Sequence, residues 1–546
     1  MTRRIGWGLA GGIPLAFLAV FFAWPVGALL ARGLFGEGAA GLSGFAAVLA
    51  SPRTGTVVAT TLAQAAAGTV VSLALGLPCA WVLYRTRFLG RGLVRAVVTI
   101  PFALPSVVVG VAFKSLVIAT GPLGAWGLDG TWAIVVASLA FFNVAVVVRT
   151  VGALWASLDP RPGQVAAVLG ASPPRVLLTV TLPALAPAIA SSAALVFLFC
   201  ASAYGVVMVL GGPTWGTIET EIWFLTQQLL DLTAAAALSI IQLGVVTACL
   251  LVTNRLQLRL AHAQRLRTDE RVADRWRWRR DLLPSIPVAG VVVLVALPLT
   301  NLGLRSLRTA SGYGLDHYVA LFTGLSGPLA VPVTSAVGNS LRTAAAASVL
   351  ALVLGILVSL VVSRRPRSLP GRRALGLLDA TFMLPLGVSA VTVGFGFLIT
   401  LNRPPLDLRS SMVLVPIAQA MVALPLVVRV LLPVLRAIDP RLKEAAAVLG
   451  ASPGRVLATV EAPLAGRALG LATGFALATS LGEFGATSFL ARPDAPTLPV
   501  VVFRLMGRPG LENQGTGMAA AVLLAVLTAT VMAAAERMRP MEASTW

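Results

Sequence analysis

Two stretches of this chain are near-copies of one another. Asp159 opens DPRPGQVAAVLGASPPRVLLTVTLP, and Asp439 opens DPRLKEAAAVLGASPGRVLATVEAP, 280 residues further on. Each copy is polar enough for water, yet each sits between long apolar runs. Any fold open to this chain must therefore build one module twice and present the same short segment in each.

The apolar runs say what that module is made of. Of 546 residues 57% are hydrophobic and 12% charged, with a mean hydropathy of +0.88, where soluble chains carry roughly 25% charged residues. Many windows approach the ~20 apolar residues that cross hydrocarbon as a helix. Ala, Leu and Val run consecutively, not alternately as a transmembrane barrel requires. The fold class is an all-α membrane protein. Apolar windows fall at 7–31, 56–84, 96–120, 131–155, 184–210 and 233–253, then at 284–304, 335–362, 377–401, 411–435, 464–491 and 515–535. That predicts about twelve transmembrane helices in two sets of six. The first window follows Arg3 and Arg4 and is too long for a cleaved signal segment, so it reads as a retained helix.

Two halves, 1–253 and 284–546, flank a basic linker, 254–283. The linker reads as a tether anchored by Trp276 and Trp278, or as a lipid-binding stretch. Arg85, Arg87, Arg91 and Arg95 follow the second window of the first half; Arg364, Arg365, Arg367, Arg372 and Arg373 follow that of the second. Placing these and the linker in the cytoplasm, as the positive-inside rule directs, leaves both termini and both repeated loops there too. Leu104-Pro105 matches Leu384-Pro385, Arg149 matches Arg429 and Gly205 matches Gly485, each at a separation of 280 without a gap. Both halves enter from the same side, so the repeat is parallel, about an axis along the membrane normal.

Several classes are excluded. The net charge of +21 lies in short connections between apolar runs and accompanies no nucleic-acid motif. Cys79, Cys200 and Cys249 stand singly and the histidines are only His262 and His317, so neither disulfide, metal site nor cofactor is expected. A phosphate-binding loop needs Gly-Lys-Ser/Thr, but the two lysines, Lys114 and Lys443, follow Phe113 and Leu442. Any ATP hydrolysis must come from another polypeptide. Without paired carboxylates or a His-Glu-x-x-His set, the chain does not read as an enzyme.

The repeated segment carries its own folding signals. Asp159-Pro160 is a helix N-cap with proline at the first helical position. Gly170 can end that helix in the left-handed conformation, and Ser172-Pro173 starts a second one running toward Pro183. Asp439-Pro440, Gly450 and Ser452-Pro453 repeat each signal. Ala166, Ala167 and Val168, with Ala446, Ala447 and Val448, offer an apolar face to a partner's groove. A bare connector explains one such loop, but not two near-copies.

The pattern Glu444-Ala445-Ala446 to Gly450, ending Ala462-Pro463, resembles the EAA loop of ABC-importer permeases. The first copy reads Gln164-Val165-Ala166 to Gly170, ending Leu182-Pro183, and departs at Gln164. The resemblance covers nearly all of both halves. It implies coupling loops at about 159–183 and 439–463, with Gln164, Ala166, Ala167, Gly170, Pro183, Glu444, Ala445, Ala446, Gly450 and Pro463 meeting ATP-hydrolysing subunits, expected as a homodimer. It also implies an extracytoplasmic solute-binding protein and a place in the bacterial inner membrane. Fusion of two halves resembles the thiamine and ferric-iron permeases. The runs LGGPTWGTIETEIW (210–223) and SLGEFGATSFLARPDAPTLPVVVF (480–503) resemble thiamine permeases first, ferric-iron permeases next and oxyanion (molybdate and sulfate) permeases third. An ion-coupled secondary transporter is the rival class and would need more buried acids or histidines near midplane.

Polar residues in the apolar windows are pathway candidates because an unpaired charge there is costly. Glu483 could meet a cation or cap a neighbouring helix. Lys114 could snorkel to the interface or touch solute. Asn143, like Gln242 and Gln419, could line the path or bond between helices. Pro101, Pro105 and Pro385 should kink the third span of each half. Glu219, Glu221 and Asp231, around a short helix before the sixth span, could meet the binding protein or be solvated.

Overall fold

The computed structural model describes residues 2–36, 41–211, 215–263, 274–275, 278–323, 332–364, 368–402, 407–408 and 411–538. Trp276, Arg365, Arg367 and the side chain of Trp278 lie outside the described residues, and with them the anchoring expected of the two tryptophans. Ten described helices are long and apolar enough to cross a membrane. Two shorter ones, Ser106–Val117 and Ala390–Thr400, fall in the third window of each half. Helices also run into the predicted linker from both sides, Leu232–Ala263 and Trp278–Ser306.

The short helices have a local cause. A 12-residue helix reaches only about 18 Å at 1.5 Å per residue, against a hydrocarbon core of about 30 Å. Each third span is completed by a preceding helix, Arg91–Thr99 or Leu369–Met383, and a tight 3-10 turn, Ile100–Ala103 or Leu384–Gly387. Leu104 N–H donates to the Pro101 carbonyl (3.2 Å) and Val388 N–H to that of Pro385 (3.3 Å). This corrects the gapless match of Leu104-Pro105 to Leu384-Pro385. Pro101 and Pro385, 284 apart, occupy the same turn, and Pro105 instead corresponds to Ser389 as the N-cap of the short helix. The chain closes the difference before the fourth span: a Cβ on Gly76 would fall 2.7 Å from the Val147 Cβ and one on Gly355 2.5 Å from Val427 Cγ1, and these two valines are again 280 apart. Each glycine lets its helix lie directly on a neighbour, the small-residue packing that joins apolar helices where no hydrophobic gain separates protein from lipid.

The described residues form two compact units. One comprises Met1–Ala46, Ile222–Ile240 and Ser306–Ser544; the other is chiefly Ala47–Glu221 and Ile241–Arg305. These units cut across the sequence halves 1–253 and 284–546. In the first unit, Leu18 and Phe22 of the opening helix join a buried cluster with Val358, Phe397, Leu414 and Met421. In the second, Asn301 of the sixth long helix donates to Ser115 Oγ (2.8 Å), and Arg305 holds Thr120 at its carbonyl (2.7 Å) and hydroxyl (2.6 Å). The opening helix of each half thus packs with the remainder of the other half.

Both units repeat one further join. Ile218 N–H donates to Thr61 Oγ1 (3.0 Å) and Leu498 N–H to Ser340 Oγ (2.7 Å). A hydroxyl on the second long helix caps the short helix before the last one, Ile218–Gln227 or Leu498–Met506.

Candidate functional site

The repeated segment folds the same way in both units. Asp159 Oδ1 accepts from Arg161 N–H (3.0 Å) and Asp439 Oδ1 from Arg441 N–H (2.9 Å), opening the corner helices Arg161–Val168 and Pro440–Val448. Gly170 and Gly450 take φ of +85° and +82°, the left-handed region where a Cβ is penalised. Gly170 N–H then donates to the Ala167 carbonyl and Ala171 N–H to that of Ala166; Gly450 and Ala451 do the same to Ala447 and Ala446, all at 3.0 Å. This paired ending, a Schellman motif, satisfies the last carbonyls of the helix and turns the chain sharply.

Beyond the corner, the chain does not form a plain helix toward Pro183. The one-turn helices Pro173–Val176 and Pro453–Val456 pass into π turns, Leu177–Thr181 and Leu457–Glu461, before the long helices Leu182–Ala201 and Ala462–Gly482. Pro183 and Pro463 sit at the start of those long helices, lacking an N–H and crowding the preceding turn. A widened turn directly before each proline absorbs that crowding. Thr179 and Thr459 donate to the Arg175 and Arg455 carbonyls at 2.7 Å, whereas Ser452 Oγ accepts from Arg455 N–H (3.4 Å) and Ser172 makes no such cap bond.

Exposure sorts the residues of the corner helices. Gln164 and Glu444 are exposed, as are Ala167, Ala445, Gly170 and Gly450, while Ala166 and Ala446 are half-buried on the inner side. Pro183 and Pro463 are exposed. The apolar tip is Val168 with Leu169 and Val448 with Leu449, at 82 to 88% exposure. The two leucines were not foreseen as part of the presented face. Their signal was a large apolar side chain directly before the turning glycine, where a helix ending in water has no inner side to cover it.

The pathway candidates have internal partners. Glu483 lies where Ala462–Gly482 ends, short of the next helix, Thr487–Leu490. Its Oε1 accepts from Ala486 N–H (2.7 Å) and its Oε2 from Thr487 N–H (3.0 Å) and the Thr487 hydroxyl. Lys114 pairs with Asp129 at 2.5 Å. Asn143 donates to the Leu139 carbonyl (2.8 Å) and to Cys200 Sγ (3.4 Å), the second contact joining two helices. Glu483 belongs to one unit, and Lys114 and Asn143 to the other.

Glu219 and Glu221 are buried, not solvated. Glu221 takes a two-point contact from Arg53 (2.9 and 2.7 Å), and Glu219 accepts from Gln242 (2.7 Å). Asp231 accepts from Ala234 N–H and caps the following helix. A feature not foreseen is a cleft of about 530 Å³ lined by Asn339, Arg342, Arg492 and Asp494 among others. There the paired Arg492 guanidinium holds the Asp494 carboxyl below its ordinary value.

Comparison with known proteins follows the same lines. A family model described as "Binding-protein-dependent transport system inner membrane component" matches residues 72–265. The thiamine transport system permease protein ThiP of Brucella abortus (strain 2308) is 28% identical over 547 residues, covering 97% of this chain and 95% of that protein. ThiP of Escherichia coli K12 is 29% identical over 456 residues, 81% of each. The sulfate transport system permease protein CysT of the same organism is 31% identical over 271 residues, 47% of this chain and 95% of CysT.

Proposed function

From membership of this chain in the family of binding-protein-dependent transport system inner membrane components, a family of transport permeases and not of enzymes, we propose that it is the translocating subunit of an ATP-driven importer. Its solute is a thiamine-class organic cation delivered by a binding protein. The observation that carries the reading is the pair of matched corner helices, each ending in an exposed Val-Leu tip on a rigid glycine turn. An apolar tip of this size in water is a docking element seeking a groove. ATP-hydrolysing partners that close on nucleotide would move both tips together, and the long helices behind them would follow. Nucleotide thereby favours one of two arrangements of the helices, which is all the coupling requires. A cytoplasmic position for both tips and both termini is supported by the basic connections through the positive-inside rule.

The choice of thiamine rests on similarity to ThiP across 97% of the chain. The test is uptake by proteoliposomes carrying the permease with its co-purified ATPase and binding protein. Labelled thiamine should enter vesicles that enclose ATP with the ATPase and meet the binding protein outside, whereas Val168→Asp with Leu169→Asp, or Val448→Asp with Leu449→Asp, should lose ATPase association and at least tenfold of uptake. Uptake of sulfate or ferric ion in place of thiamine would overturn the solute, and ATPase binding by a protein altered at both tips would overturn the mechanism.

A further inference from the structure

The two corner helices are alike in backbone but not in how they are fastened. In the second copy, Lys443 Nζ lies 2.6 Å from Glu461 Oε1. Lys443 is half-buried on the inner side of the corner helix Pro440–Val448. Glu461 is buried and is the last residue of the π turn that leads into Ala462–Gly482. In the first copy, 280 residues earlier, the same two places hold Gly163 and Thr181. No charge can join them, and even a Cβ added at Gly163 would meet only Val176 Cγ1, at 3.4 Å.

A second difference lies on the other flank. Arg436, at the end of the helix leading into the second corner, pairs with Asp379 at 3.3 Å. The corresponding residue of the first copy is Ala156. Among the described residues, these two ion pairs of the second corner have no counterpart at the equivalent positions of the first, whose one pair, Asp159–Arg161 at 4.0 Å, lies within the start of the corner itself.

We infer that Lys443 is a positioning residue: its ion pair with Glu461 yokes the second corner helix to the long helix behind it, so that the two halves transmit force from the ATPase unequally. This rests on the coupling role proposed above. A buried carboxylate facing a lone ammonium is a strong constraint, because separating them leaves a charge without compensation. The flexible lysine stem keeps the contact through small rotations of the corner helix, where the planar fork of arginine would fix one angle. The π turn supplies the compliant joint beneath it, and the ion pair spans that joint. A displacement at the tip then reaches the long helix instead of dissipating in the turn. In the first copy, Gly163 and Thr181 leave the joint without that ion pair.

The decisive variant is Lys443→Met with Glu461→Gln, which removes the pair without stranding a buried charge. In the reconstituted complex, solute transported per ATP hydrolysed should fall at least fivefold, with ATPase association unchanged. The reversed pair, Lys443→Glu with Glu461→Lys, should recover to within twofold of the starting protein, and Thr181→Val in the first copy should change the ratio less than twofold. A neutral pair that stays fully coupled overturns the inference, as does a reversed pair no better than the neutral one. Should the neutral pair fail to accumulate, the reversed pair decides: accumulation with wild-type coupling supports the yoke, and accumulation without coupling overturns it. Failure of the parent reading looks different, because ATPase would then bind normally to a chain altered at both tips, with Val168→Asp, Leu169→Asp, Val448→Asp and Leu449→Asp.

Discussion

At the scale of single residues, Glu483 shows how a buried acid can be read two ways. In the sequence it is a carboxylate inside an apolar window, which marks a pathway candidate. In the fold, both of its oxygens serve the start of the next helix, through Ala486 N–H, Thr487 N–H and the Thr487 hydroxyl. Loss of a cap costs about 1–2 kcal/mol, so Glu483→Ala should lower the thermal midpoint of the purified protein measurably. Glu483→Gln keeps one acceptor oxygen and should retain more than half of the uptake per folded molecule. A Gln variant as stable as the starting protein but inactive in uptake would make this carboxylate a pathway group instead. Capping was one of two readings open in the sequence, and the choice between them depends on where the helix breaks, which Gly482 and Gly485 permit but do not fix. Lys114 lies near the end of its short helix, and its ammonium meets Asp129, a partner 15 residues on that spacing alone does not single out.

At the scale of elements, legibility follows the range of the interactions. The corner helices could be read from the sequence because caps, prolines and turning glycines act within a few residues. The same holds for their left-handed ends, whose strain can be tested directly. A Cβ on Gly170 or Gly450 would meet nothing within 4 Å, so the penalty of an alanine there is purely conformational, about 1–2 kcal/mol. Gly450→Ala should therefore lower thermal stability slightly while weakening ATPase association more, because the turn aims the Val448-Leu449 tip; equal binding by both proteins would show that the tip tolerates a re-aimed helix. The π turns were missed although each precedes a proline in both copies, because the preference of a continuing helix for widening over breaking is settled by what packs behind it. The four-residue slip between Pro105 and Pro385 was missed for a related reason. Two Leu-Pro pairs at the repeat separation looked like a match, yet the 3-10 turn selects Pro101, whose carbonyl receives the Leu104 N–H.

At the scale of the whole molecule, the repeat in the sequence and the units of packing are different divisions of one chain. Similarity between copies reports ancestry along the sequence, whereas burial reports which apolar faces found each other, and the opening helix of each half found the other half. Leu18 and Phe22 have their cluster among residues beyond 350, and Asn301 and Arg305 have their partners at Ser115 and Thr120. No periodicity within a single helix encodes that choice, since every apolar helix offers a similar face. Two membrane-inserted fragments test it. Residues 47–305 retain the contacts of Asn301 and Arg305, while residues 1–253 lose them and carry an opening helix whose Leu18 and Phe22 have no cluster. Residues 222–240 belong to the unit of the opening helix, where the Gly33 position lies against Ala236 and Ile240, so 1–253 keeps that contact and 47–305 does not, which weights the comparison against the expected outcome. The 47–305 fragment should resist limited proteolysis several-fold longer in native-lipid membranes. Greater resistance of 1–253 would mean that each half folds on its own helices first, with the exchange contributing little to its stability.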